Sequence, residues 1–131
     1  MFDGGPLTSN YKNVFGWGYH AKGELLCQSG MKSGVVCNLK TGSNLPDFNV
    51  ECWAPDSDGD CDYHLKGLIR AIQMDGHDAA RPGDSGGPVF SLMGSGVRAK
   101  GIVSGGAGSE LLFQDWADVI QQFNAYPVTP P

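Results

Sequence analysis

The chain has 131 residues, 14 acidic against nine basic, for a formal charge of −5, and 40% of its residues are hydrophobic. That length fits one domain with its own core, and the scattered basic residues leave no footprint for a phosphate backbone. No apolar run approaches the roughly 20 residues that cross a bilayer, so a soluble chain that binds neither nucleic acid nor membrane is expected.

Twenty glycines and eight prolines disfavour long helices and favour a turn-rich β fold. Residues 1–16, opening "MFDGGPLTSNYK", read as an extended arm with little periodicity and without the basic start and apolar run of a signal peptide. Short strands follow from Trp17. "GELLCQSG" and "GVVCNLKTG" are apolar stretches joined by the Gly/Ser turn "SGMKSG", the pattern of a hairpin whose arms carry Cys27 and Cys37. "NVECWA" and "YHLKGLIRAI" repeat it around the acidic tip "PDSDGDCD", and "GPVFSL" and "VRAKGIVSGG" form a third pair around "MGSG".

Cys27/Cys37 and Cys52/Cys61 are two short-range pairs, the spacing of hairpin-stapling disulfides in an oxidising, extracellular compartment. Zinc would want Cys-x-x-Cys or His spacings, which are missing, while connectivity stays open because four cysteines allow three pairings. Asp56, Asp58, Asp60 and Asp62 alternate in "DSDGDCD" and on a strand would share one face, making them a weak candidate for Ca²⁺. The bland alternative is a solvated hairpin tip; the run lacks the glycine and glutamate positions of an EF-hand, and no other cofactor is indicated.

Only the end of the chain reads as helical. Asp115 can cap, Asp118 falls in the first turn, and Trp116, Val119, Ile120 and Phe123 share one face, with Pro127 ending the run before a Pro-rich tail at 127–131. The sum is an all-β chain: six or so strands closing an antiparallel barrel, then a C-terminal helix.

"RPGDSGGPVF" (Arg81–Phe90) places Ser85 among three glycines, an expensive choice for ordered backbone. Serine attack on a carbonyl creates an oxyanion and needs donors fixed beforehand. Flanking glycines let backbone N–H groups, here those of Gly83 and Ser85, point into one concavity, and Asp84 between them can fix the loop through an internal ion pair.

"GDSGGP" resembles the nucleophile loop of chymotrypsin-like serine proteases, and "CQSGMKSGVVC" and "GIVSGG" resemble the disulfide-closed hairpin and substrate-binding strand of their streptogrisin/α-lytic bacterial subfamily. The resemblance runs over residues 17–126 and implies the second, six-stranded Greek-key barrel of that fold, in a secreted protein. It implies Ser85 as the nucleophile of peptide-bond hydrolysis, the Gly83 and Ser85 amides as oxyanion hole, Asp84 as loop anchor, and Ser104, Gly105 and Gly106 as the strand that pairs with a peptide or protein substrate. Counting back from Ser85 puts Ala79 at the base of the specificity pocket, favouring apolar or aromatic side chains.

The family's catalytic His and Asp come from a first barrel, whereas the residues before Ser85 are already used by the second; the triad is incomplete. His20 lacks the context of that histidine, His64 reads as a surface imidazole after the acidic tip, and His77, eight residues before Ser85, reads as a conceivable substrate contact; the disulfide near the nucleophile loop has no counterpart. The subfamily's internal Arg partner of Asp84 is matched here by Gln28, which leaves Arg81, Arg70 or Arg98 as candidates. Two functions fit: the nucleophile-bearing half of an endopeptidase, inactive alone, or a non-catalytic barrel serving as a binding or structural subunit. Either should expose an apolar face, calling for a His/Asp-bearing barrel, another docking subunit or self-association.

Overall fold

Alternating apolar positions and Gly-marked reversals generate an almost entirely β chain. A computed structural model describes residues 1, 4–5, 11–19, 21, 23–42, 48–50, 65–124 and 126. The strands are β1 (Val14–Trp17), β2 (Leu25–Gly30), β3 (Gly34–Thr41), β4 (Phe48–Val50), β5 (Leu65–Gln73), β6 (Pro88–Met93), β7 (Gly96–Ala107) and β8 (Glu110–Asp115), followed by helix α1 (Trp116–Phe123).

Six of them close on themselves. β2 pairs β3, β3 pairs β5, β5 pairs β8, β8 pairs β7, β7 pairs β6, and β6 returns to β2, every pair antiparallel. Six strands thus form a closed barrel, the arrangement expected from the turn spacing. β4 adds to β5, and β1 lies parallel to the first part of β7. The chain order is a Greek key: after β5 the chain crosses one end of the barrel to β6, beside β2, and β7 and β8 then fill the gap back to β5. The crossing segment, residues 74–87, carries "GDSGG".

β2 and β6 are buried on both faces. Leu26 and Val89 point into the barrel with Leu39, Ile69, Ala71, Val103, Leu111 and Phe113. Cys27 and Phe90, one residue on, join Val97 in a second cluster outside it, packed by Met1, Val14, Val35 and Cys37. The Cys27–Cys37 disulfide thus ties β2 to β3 on the outer face.

Two elements depart from the sequence reading. β8 has no strand signature because Leu111, Leu112 and Phe113 are all buried, so hydrophobicity does not alternate along it. β1 sits within the stretch read as an arm, since its partner is Val97–Ala99, far along the chain, and non-local pairing leaves no local signal. The helix starts where Asp115 caps, its side chain accepting from the Ala117 N–H at 2.9 Å. It ends at Asn124, in the left-handed region with φ 50°, whose N–H bonds the Ile120 carbonyl. Val119 is buried, whereas Phe123, on the expected apolar face, is 76% exposed.

Candidate active site

The crossing segment enters its tight turn at Arg81 and leaves it at Pro88. Gly83 (φ 101°) and Gly86 (φ 87°) both adopt backbone conformations that side chains disfavour. Gly87 is required for a different reason: a Cβ there would lie 2.7 Å from the Ser29 carbonyl of β2. The two positive angles and the one close approach account for the three glycines around Ser85.

Within the turn the amides alternate. The Asp84 N–H donates to the Arg81 carbonyl at 3.0 Å, the Gly86 N–H to the Val103 carbonyl at 2.8 Å, and the Gly87 N–H to the Asp84 carbonyl at 3.0 Å. The Gly83 and Ser85 N–H groups donate to no acceptor among the described residues, and both residues are exposed. The loop is therefore pinned on either side of two free donors.

Asp84 provides much of the pinning. The residue is 1% exposed. Oδ1 accepts from the Lys32 and Ser33 N–H groups at 2.8 and 2.9 Å, and Oδ2 accepts from the Arg81 N–H at 2.7 Å and from the Ser33 hydroxyl. Burial works against its charge, but the bonds from the Ser33 side chain and from the Arg81, Ser33 and Lys32 amides outweigh it and hold the carboxyl below its ordinary value. This corrects the expected ion pair. Arg70 instead pairs with Glu110 at 2.7 Å, and the Arg98 guanidinium lies against Met93 Sδ. A carboxylate with four donors has its lone pairs satisfied without a cation. Gln28, at the position matched to the subfamily's arginine, is fully buried and donates to the Ala79 carbonyl at 3.1 Å.

The exposed Ser85 hydroxyl donates to the Ser104 carbonyl at 3.2 Å. Ser104 is the bulged residue between the β7–β8 pairs Val103↔Phe113 and Gly105↔Leu112. Past Ile102, which pairs with Pro88, the β6 side of β7 is met among the described residues by the turn alone, the Val103 N–H bonding the Gly87 carbonyl at 2.8 Å. Gly105 and Gly106 pair with β8 on one side and with no strand on the other among the described residues. Ser85 thus sits at the start of an open strand edge.

Ala79 is set apart from these groups. It is 0% exposed, inside the barrel cluster, with its N–H bonded to the Gly108 carbonyl. His77, in the same segment, is exposed and its N–H bonds Gln73 Oε1 at 2.8 Å. His20, His64, Cys52, Cys61 and the calcium candidates Asp56, Asp58, Asp60 and Asp62 lie outside the described residues. Gly30, Lys32 and Ser33, which hold Asp84, carry no sequence signal beyond the Gly/Ser turn, because two of the four donors are backbone amides of that turn and a third belongs to Arg81.

The sequence matches no protein-family profile and no curated protein. Solved structures do match. Thermobifida fusca protease A superposes with a TM-score of 0.68 at 27% identity over 96% of this chain, and Cellulomonas bogoriensis chymotrypsin with 0.64 at 27% over 89%. The fold is that of bacterial chymotrypsin-like serine proteases. A glutamic-acid-specific serine protease shares it at only 17% identity, with a TM-score of 0.68. The chain spans 60%, 56% and 57% of these three proteins' lengths, respectively, so it is one barrel of a chymotrypsin-like fold.

Proposed function

We propose that this protease-fold domain is the nucleophile-bearing half of a chymotrypsin-like serine endopeptidase, with Ser85 as nucleophile and the Gly83 and Ser85 amides as its oxyanion hole. The observation that carries the reading is the pair of N–H groups, on either side of a locked Asp84, that meet no acceptor among the described residues. Donors left free at the surface of a rigid turn cost no reorganisation when negative charge develops beside them. The open edge of Ser104–Gly106 would take the substrate backbone as an added strand, orienting the scissile carbonyl toward Ser85.

Attack by Ser85 forms the C–O bond as the hydroxyl proton passes to a base; the protonated base hands that proton to the departing nitrogen as the C–N bond breaks, releasing the amine and leaving an acyl-serine, which water hydrolyses with the same base taking its proton and returning it to the serine oxygen. No metal or cofactor is needed for these steps. The base would be a histidine oriented by an aspartate, on a companion barrel. The exposed aromatics Tyr19 and Tyr126, both in contact with Trp17 at ring distances of 5.6 and 5.9 Å, would contribute to the docking face. The Cys27–Cys37 disulfide supports a secreted location.

One observation favours the second reading, a non-catalytic binding or structural subunit: the Ser85 hydroxyl donates its hydrogen bond to the Ser104 carbonyl and not to a base. A fluorophosphonate probe separates the two. The first reading expects negligible labelling of the chain alone and labelling of Ser85 once a His/Asp-bearing barrel is added, lost in Ser85→Ala. No labelling in the presence of a bound companion barrel would leave the binding subunit.

A further inference from the structure

The turn Met31–Ser33 between β2 and β3 grips the nucleophile loop at two consecutive residues. The Lys32 N–H, the Ser33 N–H and the Ser33 hydroxyl all reach the Asp84 carboxylate. The Lys32 stem lies over the Cα of Gly83, so close that a Cβ there would fall 2.6 Å from its Cγ. Gly30, at the end of β2, makes room: a Cβ on it would lie 2.2 Å from Asp84 Oδ1. The cations nearest in sequence to the contacts, Lys32 and Arg81, reach the carboxylate only through their backbone amides. Lys100 is committed to Glu24 at 3.0 Å, and Arg70 to Glu110.

We propose that Ser33 is a positioning residue for the oxyanion site: its hydroxyl, acting with the turn amides, takes the place of a buried counter-ion for Asp84 and thereby sets the direction of the Gly83 and Ser85 N–H groups. The inference rests on the assignment of those amides made above. Peptide planarity transmits the constraint, because the Ser85 N–H lies a single rotatable bond from the Cα of Asp84. Hydrogen bonds to an ionised acceptor are the strong kind, and one from a hydroxyl adds a directional contact that an amide cage alone would lack. The clamp is internal and its donors are neutral, so the loop is fixed without a liberated terminal amine and without an arginine.

The test uses the isotope-labelled full chain and compares wild type, Ser33→Ala and Ser33→Thr by nuclear magnetic resonance. In Ser33→Ala the Asp84 carboxyl should titrate about one pH unit higher, as loss of one charge-assisted bond implies. The Gly83 and Ser85 amide signals should move or broaden while those of α1 stay in place, and Ser33→Thr should restore both. If Ser33→Ala does not fold, Ser33→Cys, a weak donor of similar size, is compared with Ser33→Thr by the same signals. Unchanged Gly83 and Ser85 signals with an unchanged Asp84 titration, whether or not the melting temperature falls, would overturn the proposal. These readouts involve no acyl chemistry. A failure of Ser85 to label with fluorophosphonate in the presence of a bound His/Asp-bearing barrel would therefore sink the catalytic assignment separately from the positioning role.

Discussion

Gly30 and Asp84 share one small volume: any side chain on Gly30 must occupy space held by the Asp84 carboxylate, whose Oδ1 would be 2.2 Å from a Cβ. The last residue of β2 is thereby coupled to the residue before the candidate nucleophile. Gly30→Ala should push the carboxylate off its donors and destabilise the fold by about 1–3 kcal/mol, the usual cost of overpacking. Urea denaturation measures it, and a neutral effect would show that the contact can relax.

The Asp84 carboxyl is held below its ordinary value of 3.8 in the folded state. A depressed folded pKa contributes stability that is present above the unfolded value and lost as pH falls through the folded one. Asp75, kept low first by its bond from Asn38 and then by Gln73, has the same sign, so the wild-type curve combines both. The difference between wild type and Asp84→Asn should isolate Asp84. The variant should lose about 2–3 kcal/mol at pH 7, since one amide nitrogen would face donors, and that gap should narrow below pH 4. A gap independent of pH would contradict the assignment of these bonds to the ionised form.

Ser85→Ala should leave stability within about 0.5 kcal/mol of wild type, because the side chain is exposed and makes one bond, to the Ser104 carbonyl. Gly86→Ala should cost about 1–2 kcal/mol from backbone strain alone, since φ is 87° and nothing lies within 4 Å of the added Cβ. Thermal melts of the two variants would thus separate a residue the fold does not need from one its backbone geometry requires.

Replacing both Cys27 and Cys37 with serine should lower stability by about 2–3 kcal/mol on the chain-entropy account for a short loop, a sequence separation of 10. Because β2 and β3 carry the turn that holds Asp84, the same double variant should also speed amide exchange at Lys32 and Ser33.

Much of this was legible from the sequence because it depends on local chemistry. Gly/Ser turns bracket the β2–β3 and β6–β7 hairpins, the two cysteines fall on facing strands, and Asp115 announces the helix start. The missed elements depend on distant partners. β8 is buried on both faces and lacks alternation, and β1 is defined only by its parallel register with β7. At the site, Ser85 and its glycines were visible because side-chain identity there reflects backbone demands. The holder of Asp84 was not, because three of its four donors are main-chain amides, which every sequence possesses. Where an arginine is expected, a turn holds the carboxylate.

An oxyanion site at Ser85 requires that the Gly83 and Ser85 amides be free, and residue-resolved hydrogen exchange reads that directly. Asp84, Gly86 and Gly87 should be protected, through Arg81, Val103 and Asp84 carbonyls respectively, by at least about a hundredfold relative to an unstructured peptide. Gly83 and Ser85 should exchange within about tenfold of that peptide. Slow exchange at Gly83 and Ser85 in the free protein would mean that their N–H groups are spent inside the fold, and would contradict an oxyanion site at Ser85.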